Sequence, residues 1–181
     1  MAGLIDSTLV GEPYAQPRPE AGGAGVLVLG IGNVLMGDEG VGVHVLRRLE
    51  REPAQAGVRL LDGGTGGINL LLEFEGAEDI ILIDATRDGR PAGTVTFLQP
   101  RVVGELPRGL GAHDFGLKDL FAAAALLGRL PRLHLYTISV EEVRPMHTEL
   151  SSAVARAVPA VTDAVRRLVG ELTRPCGKEA S

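Results

Sequence analysis

One cysteine, Cys176, is all the thiol this 181-residue chain carries. A lone thiol closes no internal disulfide, so a reducing compartment is expected. Basic charge is also short. Eighteen Lys and Arg stand against 23 Asp and Glu, a net charge of −5. A nucleic-acid surface needs a basic face, and this balance argues against one. No apolar run approaches the roughly 20 residues that a membrane span needs. The start has no basic segment followed by an apolar block, so no secretory leader is expected. The expected location is the cytoplasm.

What is present is the composition of a globular protein. Hydrophobic residues make up 45% and charged residues 23%, and the length suits one domain with a real core. Residues 1–25 hold Pro13, Pro17, Pro19, Gly22, Gly23 and Gly25 with little periodicity, and a flexible extension is expected there. Residues 26–173 form the single α/β domain, and 174–181 a flexible tail. Strands are expected at 26–30, 58–61, 80–83, 94–98 and 133–140. Helices are expected at 39–51, 68–74, 115–127 and 149–172, the last kinked at Pro159. Residues 99–111 read as a long loop. Strands alternating with helices predict an α/β three-layer sandwich with a twisted, mostly parallel central sheet of about five strands.

The chain is organised around residues 30–42, GIGNVLMGDEGVG. They form a glycine-rich strand-to-helix turn. Such turns normally serve phosphates, because free N–H groups and the helix dipole attract anions. Here Asp38 and Glu39 occupy the anion's place, so the turn asks for a cation, and a metal ion is the economical choice. Gly40 and Gly42 are expected to let a partner's backbone approach.

Ligands in parallel sheets gather at the carboxyl ends of the strands. That rule brings Asp38 and Glu39, Asp62, Asp84 and His113 to one edge. Two carboxylates and an imidazole make a three-ligand site for zinc or nickel with positions left open. Each residue also has a plainer reading. Asp38 or Glu39 can serve the helix N-terminus, Asp62 and Asp84 can form turns, and His113 can precede a helix without a ligand. His44 is expected on the helix surface and His134 as a satisfied core residue. His147 is the rival ligand.

Other catalytic plans fit poorly. There is no His-Glu-x-x-His helix and no Gly-x-Ser-x-Gly elbow. The dinucleotide pattern starting at Gly30 and Gly32 fails at Leu35. Cys176 lies in the tail, away from any rigid support.

The order Gly30, Gly32, Asn33, Asp38-Glu39-Gly40, then Asp62-Gly63-Gly64-Thr65, then Asp84-Ala85, then His113 with Gly116-Leu117 resembles the hydrogenase maturation endopeptidases. The resemblance runs over about residues 26–140. It implies a metal-dependent, aspartic-type endopeptidase that removes a short C-terminal peptide from the nickel-loaded precursor of a nickel–iron hydrogenase large subunit. It implies Glu39, Asp62 and His113 as metal ligands, with nickel carried by the substrate and the isolated protein binding another divalent cation. Asp38 is then the candidate general base, and Asp84 stands behind the ligands. The alternative is a non-proteolytic metal or precursor chaperone of the same fold.

Overall fold

The computed structural model describes residues 25–107, 110, 114–128, 130–143 and 145–174, with residues 114–116 described by backbone alone. The expected extension and tail, together with Cys176, lie outside the described residues apart from Gly25 and Arg174.

Five strands form one sheet: β1 (Val26–Ile31), β2 (Val58–Gly64), β3 (Asp79–Thr86), β4 (Val95–Leu98) and β5 (Arg132–Ser139). Their order is β2-β1-β3-β5-β4. The pairs β1–β2, β1–β3 and β3–β5 are parallel, and only β4 runs antiparallel, at the edge. The stretches 26–29 of β1 and 80–83 of β3 read as unbroken apolar runs because both their faces are covered. Helices α1 (Val41–Leu49), α2 (Asp114–Leu126) and α3 (Ser152–Leu172) complete the fold.

Alternation along the strands sorts the core into two layers. Val26, Val28, Ile81, Ile83 and Ile138 face α1 and α3. Leu27, Leu29, Ile80, Leu82 and Leu135 face α2 and the 3-10 turn Ile68–Phe74. These ten side chains are sealed from solvent, and each contributes about 1.5–3 kcal/mol of burial. The three-layer sandwich read from the sequence is therefore the observed architecture.

Local details differ from the expectation. The segment Ile68–Phe74 is a 3-10 turn, not an α-helix. Eight residues between Gly66-Gly67 and Gly76 leave little room for propagation beyond a costly nucleus, and Leu70 and Phe74 anchor it while Leu72 stays 80% exposed. The first helix begins as a separate 3-10 turn, Gly37–Gly40, before α1. The helix α3 runs through Pro159 without a break. The loop 99–111 carries the 3-10 turn Val103–Glu105, and Leu106 and Leu110 in it are buried in the second core layer.

A polar cluster closes the other end of the sheet. Buried Asp79 accepts from Arg132 Nε at 2.8 Å and Nη2 at 2.6 Å. His134 Nε2 lies 2.9 Å from Asp79 Oδ1, and its Nδ1 lies 3.0 Å from Gln99 Nε2. His134 is thus the satisfied core histidine expected of it.

Candidate active site

The strand order reverses between β1 and β3, so a crevice opens beyond their carboxyl ends. The acidic turn fills that position. Gly32 has φ of 136°, and a Cβ there would meet the Glu39 carbonyl oxygen at 1.9 Å. Gly42 has the carbonyl oxygens of Ile31 and Ile83 each 2.3 Å from where its Cβ would be. Only glycine permits this seat. The close approach made by Gly42, and by Gly40 against Val34, is to the chain's own backbone, not to a partner's as the sequence suggested. The turn is consequently clamped onto β1 and β3.

Glu39 is 2% exposed in this seat. Asp84 is fully buried near the end of β3, one residue past Ile83, whose carbonyl supports Gly42. Its Oδ1 accepts from the Ala85 N–H at 2.7 Å. The turn Gly37–Gly40 packs against β3, so the geometry brings Glu39 and Asp84 to the same crevice. Asp62 is differently placed. It pairs in register with Gly30 on the outer strand β2, is exposed, and its Oδ1 accepts from the Gly64 N–H at 2.9 Å. It shapes the irregular last residues of β2 and stands at the rim. His113 lies outside the described residues, which resume at Asp114, the first residue of α2. Among the described residues, no three Asp, Glu, His or Cys side chains converge as a metal site.

Residues 145–150, between β5 and α3, form a strap over the turn. Met36 bridges to His147, and the Gly37 N–H donates to the His147 carbonyl at 2.7 Å. The His147 ring is exposed, with Nδ1 3.1 Å from the Pro145 carbonyl. Asp38, the candidate base, is 9% exposed and accepts from the Ser151 N–H at 2.6 Å. His44 is half-buried rather than on the surface. Burial and the Arg47 charge push its pKa down, opposed by a hydrogen bond with the Thr148 backbone. This strap is not legible in sequence, because backbone atoms of Gly37, His147 and Ser151 make its contacts, the last with the Asp38 carboxylate.

Beyond the ends of β3 and β5, on the same edge of the sheet, lies a cleft of about 510 Å³ lined by Arg87, Arg90 and Glu141 among others. The arrangement offers buried carboxylates, a rim carboxylate and, on the same edge of the sheet, an open cleft. Such an edge can hold a cation and activate water beside a peptide. No helix among the described residues is long and apolar enough to cross a membrane.

Comparison with known proteins agrees with this architecture. The family profile described as hydrogenase maturation protease matches residues 43–168. The hydrogenase expression/formation protein HupD of Rhodobacter capsulatus is 40% identical over 151 residues, covering 79% of this chain and 70% of that protein. The hydrogenase 2 maturation protease of Escherichia coli is 34% identical over 133 residues, covering 71% of this chain and 80% of that one. Among solved structures, the hydrogenase maturating endopeptidase HybD from E. coli superposes with a TM-score of 0.75 at 30% identity, covering 82% of this chain and 93% of that one.

Proposed function

The chain belongs to the hydrogenase maturation protease family, and we propose that it removes a short C-terminal peptide from the nickel-loaded precursor of a nickel–iron hydrogenase large subunit in the cytoplasm. The observation that carries the proposal is the seat of Glu39, a carboxylate buried at the sheet's switch point by a glycine clamp.

A precursor brings its nickel as part of the substrate. Glu39, the imidazole of His113 and a second carboxylate meet that nickel and dock the precursor by its metal. Two residues are candidates for the second carboxylate. Asp84 is favoured, since it shares the β3 side of the crevice with the turn. Asp62, the residue implied by the family resemblance, lies at the rim, where it can orient the peptide or a water molecule. The precursor tail then follows the cleft beside Arg87 and Arg90. Hydrolysis needs a water deprotonated by a carboxylate at this edge. The hydroxide adds to the peptide carbonyl, the C–N bond breaks, and the proton goes to the leaving amine. Docking through the metal would make cleavage conditional on nickel.

The test is incubation of nickel-loaded and nickel-free precursor with the chain, followed by mass spectrometry of the precursor's C-terminus. Loss of a C-terminal peptide from the loaded form alone is expected. No mass loss from either form overturns proteolysis and leaves a binding role.

A further inference from the structure

The acidic pair Asp38-Glu39 looks like two equivalent carboxylates, but the fold treats them differently. Glu39 is held at the crevice, whereas Asp38 accepts the Ser151 N–H at 2.6 Å. Ser151 is the N-cap of α3, a helix of 21 residues. Its side chain accepts from Val154 N at 3.4 Å, which leaves its own N–H, pointing out of the helix, for Asp38. The contact spans 113 residues of sequence. A carboxylate at this point also opposes the positive end of the helix dipole. Two neighbouring contacts reinforce it, from Gly37 N–H to the His147 carbonyl and between Met36 and His147.

We propose that Asp38 is a positioning residue, a tertiary cap that ties the acidic turn to the N-terminus of α3 and so fixes Glu39, rather than the general base of the reaction. Glu39 is the next residue in a four-residue turn, so any shift of Asp38 is carried directly into Glu39. This rests on the processing activity proposed above. The role requires an acceptor oxygen at Asp38 and not a titrating carboxyl. A base requires the carboxylate.

Three variants separate the two roles. Asp38→Asn keeps an acceptor oxygen in the same place and removes the proton-accepting function. Asp38→Ala removes both. Ser151→Pro removes the N–H from the other side, and the Ser151 φ of −57° suits proline. With nickel-loaded precursor, Asp38→Ala and Ser151→Pro should lower kcat/KM by about 10²-fold, the scale of a misplaced catalytic geometry. Asp38→Asn should restore most of the loss. Hydrogen exchange of the Ser151 amide reads the cap without substrate. It should be protected in the parent chain and in Asp38→Asn, and exchange at least about tenfold faster in Asp38→Ala, a change of about 1.4 kcal/mol. A parent chain that shows the protected amide but no cleavage overturns the processing activity and leaves the cap intact. A folded Asp38→Asn protein as inactive as Asp38→Ala overturns the positioning role, as does a Ser151 amide whose exchange ignores Asp38.

Discussion

Gly30 and Gly42 touch across the junction of β1 and α1, so that a Cβ on Gly30 would stand 2.6 Å from the Gly42 carbonyl oxygen. Gly42 is itself held more tightly, with the carbonyl oxygens of Ile31 and Ile83 each 2.3 Å from where its Cβ would be. Neither neighbour is a flexible side chain that can swing aside. Gly42→Ala should therefore destabilise the protein by about 2 kcal/mol, the scale of overpacking. For a chain of this size that lowers Tm by about 4–8 °C. Thermal unfolding checks it, and a Tm within a degree of the parent would show that α1 can lift without cost.

These contacts mark where the sequence was readable. The glycine spacing and the apolar runs in β1 and β3 announced a strand–turn–helix and a parallel sheet. The placement of Glu39 and Asp84 on one edge of the sheet followed from strand ends alone. What was not legible was which strand the turn packs on, since that depends on strand order, and β3 rather than β2 receives the turn. The engagement of Asp38 was equally hidden, because its partner is a backbone N–H far along the chain. The direction of approach at Gly40 and Gly42 was misjudged for a related reason. Glycine announces closeness without saying to what.

Asp84 and Asp62 make separable predictions. Asp84 is buried beside the turn, and Asp62 is exposed on the outer strand. Asp84→Asn should reduce precursor cleavage by about 10²-fold or more, the scale of losing one preorganised charge. Asp62→Asn should cost roughly tenfold or less in kcat/KM. Rates of C-terminal trimming on one batch of nickel-loaded precursor decide it, and the opposite ranking would make Asp62 the inner carboxylate.

Met146 holds φ at 61° while 86% exposed, beside the bridge that joins the strap to Met36. A left-handed, non-glycine residue carries a local cost of about 1–2 kcal/mol, and such strain concentrates at functional sites. Together with Leu35, 53% exposed, it offers an apolar contact next to the acidic turn. Met146→Gly should leave stability unchanged or raise it by up to about 1 kcal/mol, while KM for the precursor rises and kcat holds. Denaturant unfolding and steady-state cleavage test both halves.

Asp79 sets an acid limit on the fold. Burial raises its carboxyl, but the hydrogen bonds from His134 and Arg132 and the Arg132 charge outweigh burial and hold the pKa below the usual carboxylate range. A depressed carboxyl stabilises the folded state above its unfolded pKa of about 3.9, and that stability is lost as pH falls through the lower folded value. Asp79→Asn should cost about 1–3 kcal/mol at neutral pH and flatten the loss of stability below about pH 4. Unfolding measured at neutral and acid pH would reveal a parallel shift instead if the charge plays no part.

The strap has a consequence for the order in which the molecule is made. The residues that seat the acidic turn come early in the chain, yet its outer fastening waits for His147 and Ser151. Contacts of such long sequence separation form late, after the cost of closing the loop. During synthesis the sheet's inner strands β1 and β3 can assemble while the turn between them is held from one side only. A chain halted before Ser151 would carry every acid of the crevice and still lack the finished arrangement.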